Sequence, residues 1–256
     1  MKAVIFLVLL LSISCSSNPT KKVSFTSLEQ VLRSPSSVEG KNIKLDSESL
    51  PEKIEKDSFY ELIKMAQVKN YEKIVIENKK SDYIKVSTQA SDNTVADFIV
   101  LIGTNFSEKD ELIRKGDYDD LYQTIRRVSW LNFRATINLV ASVDDLSAAL
   151  KNTRPTIIVW TSHGDEQGFY DFNQVRVQNT IFKNASPTVY QFILTSCNGS
   201  QAIQNSYKPY IPKTMMYWSW NSLVYHPSYL GNLLNSTANP WSPFENFPEK
   251  ISLNDF

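Results

Sequence analysis

Four largely apolar runs rich in β-branched residues recur through the second half of the chain: ADFIVLIG (96–103), FRATINLVA (133–141), TIIVWTS (156–162) and YQFILTS (190–196). Each has the length and the β-branched content of a buried strand. Runs of this kind fit strands buried on both faces. Between the first two, residues 107–128 read as a helix with Leu121, Ile125 and Val128 on one face. Between the second and third, Ser142 is a natural N-cap with Asp145 three residues on, followed by the stripe Val143, Leu146 and Leu150. Strand and helix in alternation predict an α/β fold, with a mostly parallel sheet covered on both faces. KTMMYWSW (213–220) is expected to add a fifth strand.

The first 90 residues follow another pattern. Residues 25–32 suggest a short amphipathic helix, and 58–68 a longer one carrying Phe59, Leu62, Ile63 and Ala66. YEKIVIE (71–77) and DYIKVST (82–88) read as strands joined by an NKKS hairpin. Residues 23–90 are therefore expected to form a small α+β region without a chemical motif, a packing or regulatory appendage. QASDNT (89–94) separates it from the larger domain, 91–256.

Ahead of both lies a leader. Lys2 precedes an apolar run, Ala3 to Leu11, that is too short for a bilayer span. It ends in LSISCSSNPTKK, which resembles the processing site of a bacterial lipoprotein. The resemblance implies that residues 1–15 are a signal peptide, that Cys15 is acylated, and that 16–22 tether the protein to a lipid bilayer. It also implies export to the bacterial cell envelope, in the periplasm or at the outer membrane. Plain secretion and an uncleaved anchor are the alternatives. Under the lipoprotein reading Cys197 is the single remaining unmodified cysteine, with no internal disulfide to form.

Charge narrows the function. Lys and Arg number 27 and so do Asp and Glu, and no basic stripe appears, which argues against nucleic acid as a partner. Two histidines and one cysteine at unsuitable spacing argue against a metal site, and no motif calls for a cofactor. In a parallel sheet the loops at the carboxyl ends of the strands converge on the ligand. His163 stands at the end of TIIVWTS and Cys197 at the end of YQFILTS, 34 residues apart, a separation that suits one crossover between adjacent parallel strands. An imidazole can take the proton of a thiol and return it to a leaving amine. The backbone amides of Gly164 and Cys197 are the natural donors to an oxyanion. His226, beside Pro227, is the rival base.

A strand ending in SHG followed by one ending in TSCNG resembles the caspase-like fold cysteine peptidases, the group of caspases, gingipains, clostripain, separase and legumain. The upstream order of FIVLIG, helix, ATINLVAS and the DDLSAAL helix is similar to theirs, and the likeness spans residues 96–221. The resemblance implies a three-layer α/β/α domain that hydrolyses peptide bonds with Cys197 as nucleophile and His163 as base. Peptide or protein substrates are implied, with Trp218, Ser219 and Trp220 near the substrate pocket; sheet packing is the plainer role for the tryptophans. Asp165, Glu166 and Asp171 form either a solvated loop or, through one of them, a contact to a basic substrate side chain. The chain departs from the QACxG motif of classical caspases, so aspartate specificity is not implied. A catalytically silent envelope lipoprotein that binds a protein, and a thiol acyltransferase, are the competing readings.

Overall fold

Among the described residues, eight strands form one sheet. The computed structural model describes residues 37–55, 57–77, 96–105, 116–130 and 133–219. The leader with Cys15, the 25–32 helix, the DYIKVST strand and its hairpin, Trp220 and His226 lie outside the described residues. The strands are β1 (Ser37–Glu39), β2 (Asn42–Asp46), β3 (Lys73–Glu77), β4 (Ala96–Ile102), β5 (Phe133–Asn138), β6 (Thr156–Thr161), β9 (Val189–Thr195) and β10 (Met216–Trp218), and they lie in the order β1-β2-β3-β5-β4-β6-β9-β10. A two-stranded hairpin, β7 (Gly164–Asp165) and β8 (Gly168–Phe169), stands apart from them.

From β5 to β10 every neighbouring pair is parallel. β3 joins this block antiparallel to β5, placing Ile74 opposite Ile137 and Ile76 opposite Ala135. β2 pairs parallel to β3, and β1 antiparallel to β2. Strands from the expected α+β region thus share one sheet with the α/β region. The fold is mixed α/β with a large, mostly parallel central sheet.

Alternation along β4 divides the core into two. Phe98, Val100 and Ile102 enter one apolar cluster, while Leu101 and Ile99 enter the other, as expected when successive side chains point to opposite faces. Helices α1 (Ser58–Val68) and α2 (Gly116–Trp130) cover the first face through Phe59, Ile63, Tyr122 and Ile125. Helix α3 (Val143–Leu150) covers the second through Leu146 and Leu150. Ser142 and Asp145 make the expected reciprocal capping box at its start. Helical cover on both faces explains why the parallel strands carry so few polar residues.

The expected strands end earlier than their apolar runs. β5 stops at Asn138, and Leu139–Val140 turn toward α3; β10 is confined to residues 216–218. The crossover from β6 to β9 contains the β7–β8 hairpin and a 3-10 turn, Asn179–Asn184, in place of a regular α-helix.

A buried carboxylate fastens the amino-terminal edge of the parallel block. Asp97, 1% exposed, accepts from Arg134 Nε at 3.1 Å and Asn152 Nδ2 at 2.6 Å, and forms an ion pair with Arg154, whose Nε lies 3.1 Å from Oδ2. Those partners come from β5 and from the α3–β6 connection, so one residue ties together the entries of three neighbouring strands.

Candidate active site

At the opposite edge, β6 and β9 run side by side in parallel, with Thr161 registered against Thr195. His163 and Cys197 each lie two residues beyond that pair, so both sit at the carboxyl ends of adjacent strands. Each is half-buried, and Cys197 is a free thiol. The two chains stay close past the last register pair. Ser162 Oγ lies 3.4 Å from Ser196 Oγ, and Thr195 Oγ1 donates to Trp160 O at 3.1 Å. A Cβ on Gly164 would stand 2.7 Å from Ser196 Cβ and 3.1 Å from Cys197 O. Only glycine allows the segment after His163 to approach the Cys197 backbone so closely.

The thiol is presented by an abrupt turn. Asn198 takes the left-handed conformation, φ 50° and ψ 24°, between β9 and the short helix α4 (Gly199–Ala202). Asparagine is among the few residues other than glycine that visit this region readily. Gly199 then passes close to β10: a Cβ there would meet Ser219 Oγ, which itself donates to Leu194 O at 3.0 Å.

His163 leads directly into the β7–β8 hairpin, which is held from beneath and from within. Phe169 is fully buried, with ring centroids 5.6 Å from Trp160, 6.1 Å from Phe192 and 4.9 Å from Tyr207. Asp165 Oδ1 accepts the amides of Gln167 at 2.8 Å and Gly168 at 2.9 Å, and Oδ2 accepts the Tyr170 hydroxyl at 2.6 Å. The Tyr170 bond first, with the two amides, holds the Asp165 carboxyl below its ordinary range; the same bond raises the Tyr170 phenol. Asn205 Nδ2 donates to Glu166 O at 2.9 Å, linking the hairpin tip to the helical segment that follows Cys197.

Tyr170 N donates to His163 O at 3.1 Å. In an antiparallel ladder this makes Gly164 and Phe169, which face each other, a non-hydrogen-bonded pair. The Gly164 amide is therefore directed off the hairpin ladder.

His163, Gly164 and Cys197 are thus brought to one sheet edge. Asp165 is exposed there, but both its oxygens serve the hairpin turn. Asp171 is likewise occupied, accepting the amides of Asn173 and Val175 on Oδ1 and of Val143, at the start of α3, on Oδ2. Trp218 is half-buried against the apolar cluster on the α1–α2 face, and the Ser219 hydroxyl is bound to β9. Sequence reading assigned no part to Ser162 and Ser196, which join the two strand ends. Their signal is visible in retrospect, since the same dipeptide, Thr-Ser, precedes both His163 and Cys197. Comparison with protein-family models, curated proteins and solved structures gave no match.

Proposed function

We propose that the protein is a cysteine peptidase of caspase-like architecture in which His163 and Cys197 form the catalytic dyad. The observation that carries this reading is the placement of the two residues at equivalent positions past a shared register pair on adjacent parallel strands. His163 takes the thiol proton as the sulfur attacks a peptide carbonyl, forming a C–S bond and a tetrahedral oxyanion. The amides of Gly164 and Cys197 donate to that oxyanion. Collapse breaks the C–N bond, and the imidazolium gives its proton to the leaving amine. Water, deprotonated by the same imidazole, then hydrolyses the thioester and releases the thiol. The Gly164 amide, directed off the hairpin ladder, supports its assignment as one of the two donors.

Labelling with a panel of peptidyl electrophiles tests the dyad. Wild type is expected to label at Cys197, and Cys197→Ala and His163→Ala to lose the label or slow on the order of 10²-fold. Equal labelling of all three proteins would overturn the peptidase reading and leave a protein-binding role. The envelope location is part of the same proposal: Cys15→Ala is expected to abolish incorporation of a labelled fatty acid, and persistence of that label would remove the anchor.

A further inference from the structure

We propose that Ser162 is a positioning residue, whose buried hydroxyl joins the His163 main chain to the residue before Cys197 and so sets imidazole and thiol relative to each other; this rests on the dyad reading above. The hydroxyl is held by a forced arrangement of protons. Trp160 Nε1, which can only donate, lies 2.8 Å from Ser162 Oγ. The single Ser162 proton goes to His163 O at 2.9 Å. Ser196 Oγ, at a long 3.4 Å, then faces the remaining lone pair and must be the donor. One proton given and two accepted exhaust what a serine hydroxyl can do.

The node is also sterically enclosed. Ser162 is 8% exposed, Ser196 1% and Trp160 0%. A Cβ at Gly103, just past the end of neighbouring β4, would stand 3.0 Å from Ser162 Cβ. On its other side Ser196 abuts Gly164, so the side chain before Cys197 is bracketed by both neighbours of His163. Movement of one strand end past the other must break the Ser162–Ser196 contact or push Ser196 against Gly164.

The test is a double-mutant cycle on alkylation of Cys197 by iodoacetamide at neutral pH, followed by mass spectrometry of the peptide that contains it. His163→Ala is expected to slow alkylation about tenfold, and Ser162→Ala about three- to tenfold. Once the imidazole is gone, positioning has nothing to act on. The Ser162→Ala/His163→Ala protein should therefore match His163→Ala within about twofold, whereas a role in stability alone would multiply the two losses. Ser196→Ala keeps the Trp160–Ser162 bond and is expected to behave as Ser162→Ala does; it decides the question if Ser162→Ala does not fold. Wild-type rates in Ser162→Ala and Ser196→Ala, or multiplicative losses in the double variants, overturn the inference while a slow His163→Ala leaves the dyad standing. A His163→Ala protein that alkylates at the wild-type rate overturns the dyad and the inference together.

Discussion

Gly164 occupies its position for lack of a side chain rather than for an unusual backbone angle. A methyl group at this residue would meet Ser196 Cβ at 2.7 Å, and neither partner is the far end of a flexible chain. Gly164→Ala is expected to separate the two strand ends, with a cost of about 1–3 kcal/mol and a loss of Cys197 labelling larger than that destabilisation explains. Denaturant midpoints measured beside labelling rates check it. The neighbouring Asp165–Tyr170 bond makes the hairpin sensitive to pH in both directions. The Asp165 pKa is lowered on folding, so its contribution is present above the ordinary value of 3.8 and lost as pH falls through the depressed one. The Tyr170 pKa is raised, so its contribution is present below the ordinary 10.0 and lost as pH rises through the elevated one. Amide exchange in residues 164–170, corrected for intrinsic rates, should be slowest between those limits. Tyr170→Phe should flatten both limbs, and an unchanged profile in that variant would assign the protection elsewhere.

Among the elements, the entries of β4, β5 and β6 are joined through Asp97, far along the strands from the candidate site. Asp97→Ala leaves Asn152 without its acceptor and Arg134 and Arg154 facing each other, though their side chains are 34% and 37% exposed and can hydrate. The cost is expected to be about 2–3 kcal/mol, below the penalty for a fully orphaned buried charge. Labelling of Cys197 per folded molecule should be unchanged. A fall in labelling would mean that the two edges of the sheet are coupled. The α3 cap acts locally: Ser142→Ala removes the acceptor for Asp145 N and is expected to cost about 1 kcal/mol.

For the whole molecule, continuity of the sheet governs how it unfolds. Ile74 and Ile76 of β3 lie in the same buried cluster as Phe98, Ile137 and Ile193. Ile76→Ala should therefore shift the unfolding of the entire sheet by about 2–5 kcal/mol. Tryptophan fluorescence, which includes Trp160 of β6 and Trp218 of β10 and no residue of β1–β3, and far-ultraviolet dichroism should move together; separate transitions would show that β1–β3 fold on their own.

The pattern of apolar residues announces the alternation of buried strands and amphipathic helices in the second half. It also places His163 and Cys197 at strand ends, because apolar period and capping residues are local signals written within a few positions. The Ser142–Asp145 box and the helix at 58–68 were legible for the same reason. The folded chain, not any local pattern, settles which strands are neighbours. The pairing of β3 with β5 and of β6 with β9 joins residues far apart in the chain, and no local pattern specifies such partners. It likewise decided that Asp165 and Asp171 serve turns. A carboxylate's role depends on which amides and hydroxyls the fold brings to it, and those come from the turn geometry and, for Asp171, from the start of α3. The two Thr-Ser dipeptides were in plain view, but their hydroxyls acquired a common role only when parallel pairing set one strand end against the other.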